Sequence, residues 1–167
     1  MRLKPLPEPP ADLSAVADAQ SAVPLVPGSE NDCCARLMRR EGFQSRDVAR
    51  EWLTFLRALE LAAETESGFK RTDREPSPEN IRESFRERVF GAREAVDVLR
   101  DADGPLTVEA AFGRFRETVP GWERHRRSSW VDHWEARTAR LLDWLVLLEL
   151  AERTAGGYAV VDDRSGV

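Results

Sequence analysis

Apolar side chains recur at steps of three and four along most of this chain. Within 45–62, Val48, Trp52, Leu56 and Leu59 are spaced as one face of an amphipathic helix, with Arg46, Arg50 and Arg57 largely outside that stripe. From 81 to 99, Ile81, Phe85, Val89, Ala92, Val96 and Leu99 predict one long helix, broken by Asp103-Gly104-Pro105. Ala111, Phe112 and Phe115 mark the buried face of a helix over 108–118, which Pro120-Gly121 ends. Trp130, Trp134, Thr138, Leu141, Leu145 and Leu148 then predict a last helix of about 20 residues, against the ~11–12 usual in globular proteins. The polar punctuation agrees. Ser29, Ser45, Thr107 and Ser128 or Ser129 are N-cap types placed ahead of these runs, and Gly42 is a stop signal after 30–40. Residues 12–20 predict a weaker helix with Asp12 as its cap, before Pro24 and Pro27 block continuation.

The end of the chain, 141–161, reads as the end of an apolar helix, a short charged segment, a Gly-Gly turn and a β-leaning run. Residues 56–71 repeat that plan at a constant offset of 89. Leu56/Leu145, Leu59/Leu148, Glu60/Glu149, Leu61/Leu150, Ala62/Ala151, Thr65/Thr154 and Gly68/Gly157 are identical, and Phe69 pairs with Tyr158. Helix, tight turn and aromatic strand used twice resembles the last helix and wing of a winged helix-turn-helix. The expected fold is therefore mainly α, with tandem winged-helix-like units carrying short β-hairpin wings. The expected division is a Pro-rich arm at 1–28, a first unit at 29–72, a linker at 73–78, a second unit at 79–161 and a polar tail at 162–167. The first unit is complete only if the weak helix at 12–20 supplies its missing third helix.

Length and composition fit this picture. A chain of 167 residues with 41% hydrophobic content and five Trp is globular, with room for two small cores. No apolar run approaches the ~20 residues of a membrane span, and the N-terminus lacks the apolar stretch of a secretory signal, so a cytoplasmic protein with no membrane partner is expected. The adjacent Cys33 and Cys34 diverge by about 100° on a helix, which suits burial better than a disulfide. Metal or redox use is the alternative reading.

Of the 25 basic residues only Lys4 and Lys70 are lysine, and 30 acidic residues bring the net charge to −5. The whole chain is similar to a family of small haloarchaeal proteins, most clearly in DCCARLMRR (32–40), SRDVAREWLTFL (45–56) and RLLDWLVLLELAERTAGGY (140–158). The resemblance agrees with the Arg-rich, Lys-poor composition and implies a salt-loaded cytoplasm; it brings no activity or site residue with it. At molar salt the Debye length is only about 3 Å, so long-range steering is nearly absent there.

Chemistry concentrates in one place. Arg124, Arg126 and Arg127 in the loop before the last helix, with His133, Arg137 and Arg140 off its buried stripe, are the candidates for meeting double-stranded DNA. A winged helix-turn-helix presents that helix to the major groove, and a guanidinium offers paired donors to phosphate or guanine. Between 124 and 140 five Arg face two acids, a local +3. Against this, 30–72 is neutral overall and 79–161 carries −2, and a charged helix face is commonly a solvated one. The second reading is a protein-interaction or self-association module anchored by Trp144, which lies off the Leu stripe and near the line of Arg137 and Arg140. No Gly-rich phosphate loop, GxSxG or HExxH is present, and His125 and His133 have no third ligand at a usable spacing. A non-enzymatic, transcription-associated protein without cofactor is the expectation.

Overall fold

The computed structural model describes residues 6–116 and 130–161, with side chains in the latter segment from 134 onward. Seven helices and two β-hairpins make up these residues. The chain divides into two compact units between Phe90 and Gly91.

The first unit opens with helix α1 (Ser14–Ala22). Asp12 accepts a hydrogen bond from the Ser14 backbone at 2.8 Å, which holds its carboxyl below the ordinary range, but the residue at the cap position is Leu13. Val16, Ala19 and Ala22 are fully buried, so α1 belongs to the core of this unit rather than to an arm. It is the third helix that the unit requires. Helix α2 (Glu30–Glu41) starts where the Ser29 side chain accepts from the Asp32 N–H, and stops at Gly42, which takes φ 73°. Both cysteines of α2 are buried and free, and burial pushes their thiols up. Helix α3 (Arg46–Ala58) is capped by Ser45 and buries Ala49, Trp52, Leu53, Phe55 and Leu56. Val48 is not part of that face. It sits in the first turn, where its N–H satisfies the cap, and its side chain is exposed.

The turn out of α3 is abrupt. Glu60 takes φ 64°, and the Leu61 N–H reaches back to the Leu56 carbonyl at 2.9 Å. This ends the helix sooner than the expected 62 and starts strand β1 (Ala62–Thr65), which pairs antiparallel with β2 (Gly68–Arg71). The charged segment before the turn is thus itself a strand. Two four-residue strands alone are marginal in water; here Gly28 bridges the far side of β2 through Phe69, giving and accepting a backbone bond at 2.9 and 2.8 Å.

Helix α4 (Pro78–Arg88) lies with the first unit. Its Phe85 ring meets Phe55 edge-on at 6.3 Å, and Glu60 receives Arg88 at 3.0 Å and Arg74 at 3.7 Å. Residues 73–78, expected as a linker, therefore run within this unit. The expected single helix over 81–99 is also two helices: Val89 is extended, Gly91 takes φ 83°, and α5 (Ala92–Asp101) begins anew. A Cβ at Gly91 would come within 2.4 Å of the Phe115 ring, so this position combines positive φ with a close approach.

The second unit repeats the first. Helix α5 is followed by α6 (Val108–Phe115), capped by Thr107, and then by α7 (Trp130–Leu147). Glu149 takes φ 62°, and β3 (Ala151–Thr154) pairs with β4 (Gly157–Val160) while Leu106 bridges Tyr158. Hairpin, corner and third helix keep the offset of 89. The bridge and second-helix cap do not: residues 28 and 29 correspond to 106 and 107, an offset of 78. Trp134, Thr138, Leu141, Leu145 and Leu148 are buried as their spacing predicts, together with Leu142 and Trp144. Among the described residues no helix is long and apolar enough to cross a membrane.

Candidate nucleic-acid interface

Residue types that bury and residue types that stay outside alternate along α7 from Trp134 onward. Inward go Trp134, Thr138, Leu141, Leu142, Trp144 and Leu145; outward or half-outward go Glu135, Ala136, Arg137, Ala139, Arg140 and Asp143. The outward side carries two guanidinium groups beside Ala136 and Ala139, with Glu135 and Asp143 on the same side.

Arg140 is exposed. Arg137 is half-buried, its guanidinium carbon 5.5 Å from the centroid of the Trp134 ring, an arrangement that fixes its direction by cation–π attraction. The wing is fastened to this helix by Tyr158, whose hydroxyl donates to Asp143 at 2.5 Å. Burial, then the hydrogen bond and the charge of Asp143, push the Tyr158 hydroxyl up to about 12. The Arg153 guanidinium also lies over this ring, 5.3 Å from the centroid. Strand β3 therefore holds a cation beside the helix face.

The equivalent face of the first unit carries different chemistry. At the offset of 89, Arg137 is replaced by Val48, Arg140 by Glu51, Ala136 by Asp47 and Arg153 by Glu64. Two of its basic residues meet acids: Arg50 lies 3.0 Å from Glu30 and 3.8 Å from Asp47, while Arg57 meets Glu64 at 3.1 Å and lies over the Phe69 ring. Glu64 and Glu66 are exposed on that wing. The two units share a fold and differ in the charge they present.

Several sequence-predicted residues find their places here. Arg137 and Arg140 share the outward side of α7. The backbone of His133 is helical within α7; its side chain, and the whole of Arg124, Arg126 and Arg127, lie outside the described residues. Trp144 is fully buried, which corrects the expectation of an exposed anchor near Arg137 and Arg140. The unit closes around a broad arc of α7, wider than the Leu stripe alone, and the indole falls inside it. Helical spacing does not single out Arg153; its signal in the sequence is the acid-to-base change against Glu64 at the common offset. Among the described residues no group of three or more His, Cys, Asp or Glu could hold a metal ion.

Two three-helix cores, each closed by a hairpin and a bridging residue, define a tandem winged-helix protein. The family profile of the halobacterial double winged helix domain matches residues 1–165, and the chain belongs to that family. No curated protein and no solved structure matches it.

Proposed function

We propose that this is a non-enzymatic, transcription-associated protein that binds duplex DNA through its second winged helix. In this reading α7 enters the major groove, Arg140 and Arg137 supply donors to base edges or phosphate, and Arg153 on the wing lies toward the backbone. The observation that carries it is the outward side of α7. Arg137 and Arg140 stand there beside Ala136 and Ala139, small enough to let the helix approach closely, whereas the first unit offers Val48 and Glu51 beside Asp47 and Arg50 at the same positions. The Arg124–Arg127 loop and His133 would add to the same surface. Family membership in a winged-helix class supports the assignment without naming a ligand.

The test is binding to generic duplex across a potassium chloride series that keeps the protein folded. Three to six phosphate contacts give log K against log salt a slope of about −3 to −5. Arg137→Glu combined with Arg140→Glu should weaken binding and flatten that slope by about one to two. Unchanged affinity in the double variant would overturn the surface assignment. A second reading, a protein-interaction module, draws its support from the ion-paired face and acidic wing of the first unit.

A further inference from the structure

The α1–α2 connection of the first unit carries two apolar side chains that the fold does not use. Leu25 and Val26 are 66% and 76% exposed, the most exposed large hydrophobics among the described residues. They are held in place from both ends. The Pro24 carbonyl accepts from the Arg71 N–H at 2.7 Å, Gly28 is bridged to Phe69, and Pro24 and Pro27 restrict φ on either side. A knuckle fixed in this way loses little further freedom on docking.

Three guanidinium groups converge beside it on the end of α1. Arg36 donates to the Ala22 carbonyl at 2.8 Å, Arg40 to Ser21 at 3.3 Å, and Arg71 to Val23 at 3.0 Å and Ser21 at 2.9 Å. Neutral carbonyls take these donors, and among the described residues no carboxylate lies within ion-pair distance of the three. This sets them apart from Arg50, Arg57, Arg74 and Arg88, which all meet acids. The corner thus gathers three guanidinium groups around two apolar side chains, with Glu41 and Asp18 near Arg40, in a chain of net charge −5.

The same corner of the second unit is the more acidic, although Arg36 keeps its charge there as Arg114. At the offset of 78, Leu25 becomes Asp103, Val26 becomes Gly104 and Val23 becomes Asp101, while Arg71 is matched at the offset of 89 by Val160. Asp101 and Asp103 are exposed, as is Pro105, and Val160 is half-buried. Acids stand where the first unit has Val23 and Leu25, and an apolar residue stands where it has Arg71.

We infer that the Leu25–Val26 corner of one molecule docks on the Asp101–Asp103 corner of a second copy, linking chains head to tail. Charge complementarity selects this occupant: the guanidinium groups at the rim meet Asp101 and Asp103, and Val160 is the apolar surface offered to the knuckle. Such a contact joins two different surfaces, so a bound pair leaves one knuckle and one acceptor free, and assembly continues unless the rotation closes a ring. The inference is independent of the DNA reading, since neither Arg137 nor Arg140 takes part.

Sedimentation velocity of the full chain over a concentration series at high potassium chloride tests it. The wild type should grow in size with concentration. Leu25→Ser with Val26→Ser should raise the concentration needed at least tenfold, and Asp103→Arg should do the same from the other side. Mixed together, those two variants should form a one-to-one complex that grows no further, because one working knuckle and one working acceptor remain. Arg40→Glu added to Asp103→Arg should recover part of the lost association. A wild type that stays monomeric throughout overturns the proposal. So does association indifferent to these substitutions, or variants that fail to complement each other in the mixture.

Discussion

Tyr158 is the only tyrosine in the chain, so its ionisation can be followed without interference in the absorbance of tyrosinate. Its hydroxyl is pushed from 10.0 to about 12 by burial first, then by the hydrogen bond to Asp143 and that carboxylate's charge. Between those two values the unfolded chain has lost the phenolic proton while the folded chain still holds it. Stability is therefore full below pH 10 and falls as pH rises toward 12, because the folded state binds more protons in that window. At 1.36 kcal/mol per pH unit, that displacement is equivalent to about 2.7 kcal/mol. The hydroxyl lies at the edge of the unit with Asp143 half-exposed, and solvent screening reduces the usable part to about 1–1.5 kcal/mol. The assay is an alkaline titration read by absorbance, with circular dichroism alongside, in the wild type and in Tyr158→Phe. The variant places at this site the residue its counterpart Phe69 already is, so packing is retained. It should cost about 1 kcal/mol at neutral pH through the lost hydrogen bond and should remove this component of the alkaline decline. Asp143→Asn should bring the tyrosine down while keeping some of the elevation, because burial remains. A wild-type phenol that titrates near 10 while the dichroism is still native would refute the Tyr158–Asp143 clasp.

The remaining expectations concern the cores and the hairpins. Trp144→Ala should destabilise by about 3–5 kcal/mol in urea unfolding, as expected for a buried indole; a loss under about 1 kcal/mol would return Trp144 to the surface. Gly157→Ala should cost about 2 kcal/mol or more and expose the Tyr158 amide to hydrogen exchange, since a Cβ there would lie 2.3 Å from the Leu106 carbonyl oxygen at φ 128°. Gly156→Ala, whose Cβ would meet Pro105 at an ordinary 3.6 Å, should stay within about 0.5 kcal/mol. Gln20→Leu should cost about 1–3 kcal/mol in thermal unfolding, because the buried amide donates to the Leu61 and Arg74 carbonyls at 3.3 and 2.9 Å.

Much of the architecture was legible because it depends on local chemistry. Ser29, Ser45 and Thr107 cap helices as residues of their type do, and the Gly68 and Gly157 turns close hairpins. What escaped depends on the third dimension. The stripe from Ile81 to Leu99 runs unbroken because Val89 and Ala92 are both fully buried on either side of the break, so periodicity has nothing to register; only Gly91 marks it. Strands β1 and β3 are four residues long with a single buried position each, Ala62 and Ala151, too short to show alternation. Helix α1 looked weak because its own composition is; its burial and the reach of Gln20 come from the rest of the unit. At the candidate interface, Arg137 and Arg140 could be placed from helical spacing, whereas the burial of Trp144 and the stacking of Arg153 required the neighbouring strands.

The change of offset from 78 to 89 has a historical reading. Two corners with left-handed glutamates, two threonine-closed hairpins and two bridging residues are the marks of one ancestral winged helix copied within a single gene. The second copy is eleven residues longer, the difference between 89 and 78, and the extra length falls between its second-helix cap and its third helix. Ancestry upstream of that point is invisible to an alignment held at one offset, which sees an orphan tail where there is a twin. Proteins duplicated in this manner will be undercounted until each copy is compared in two pieces.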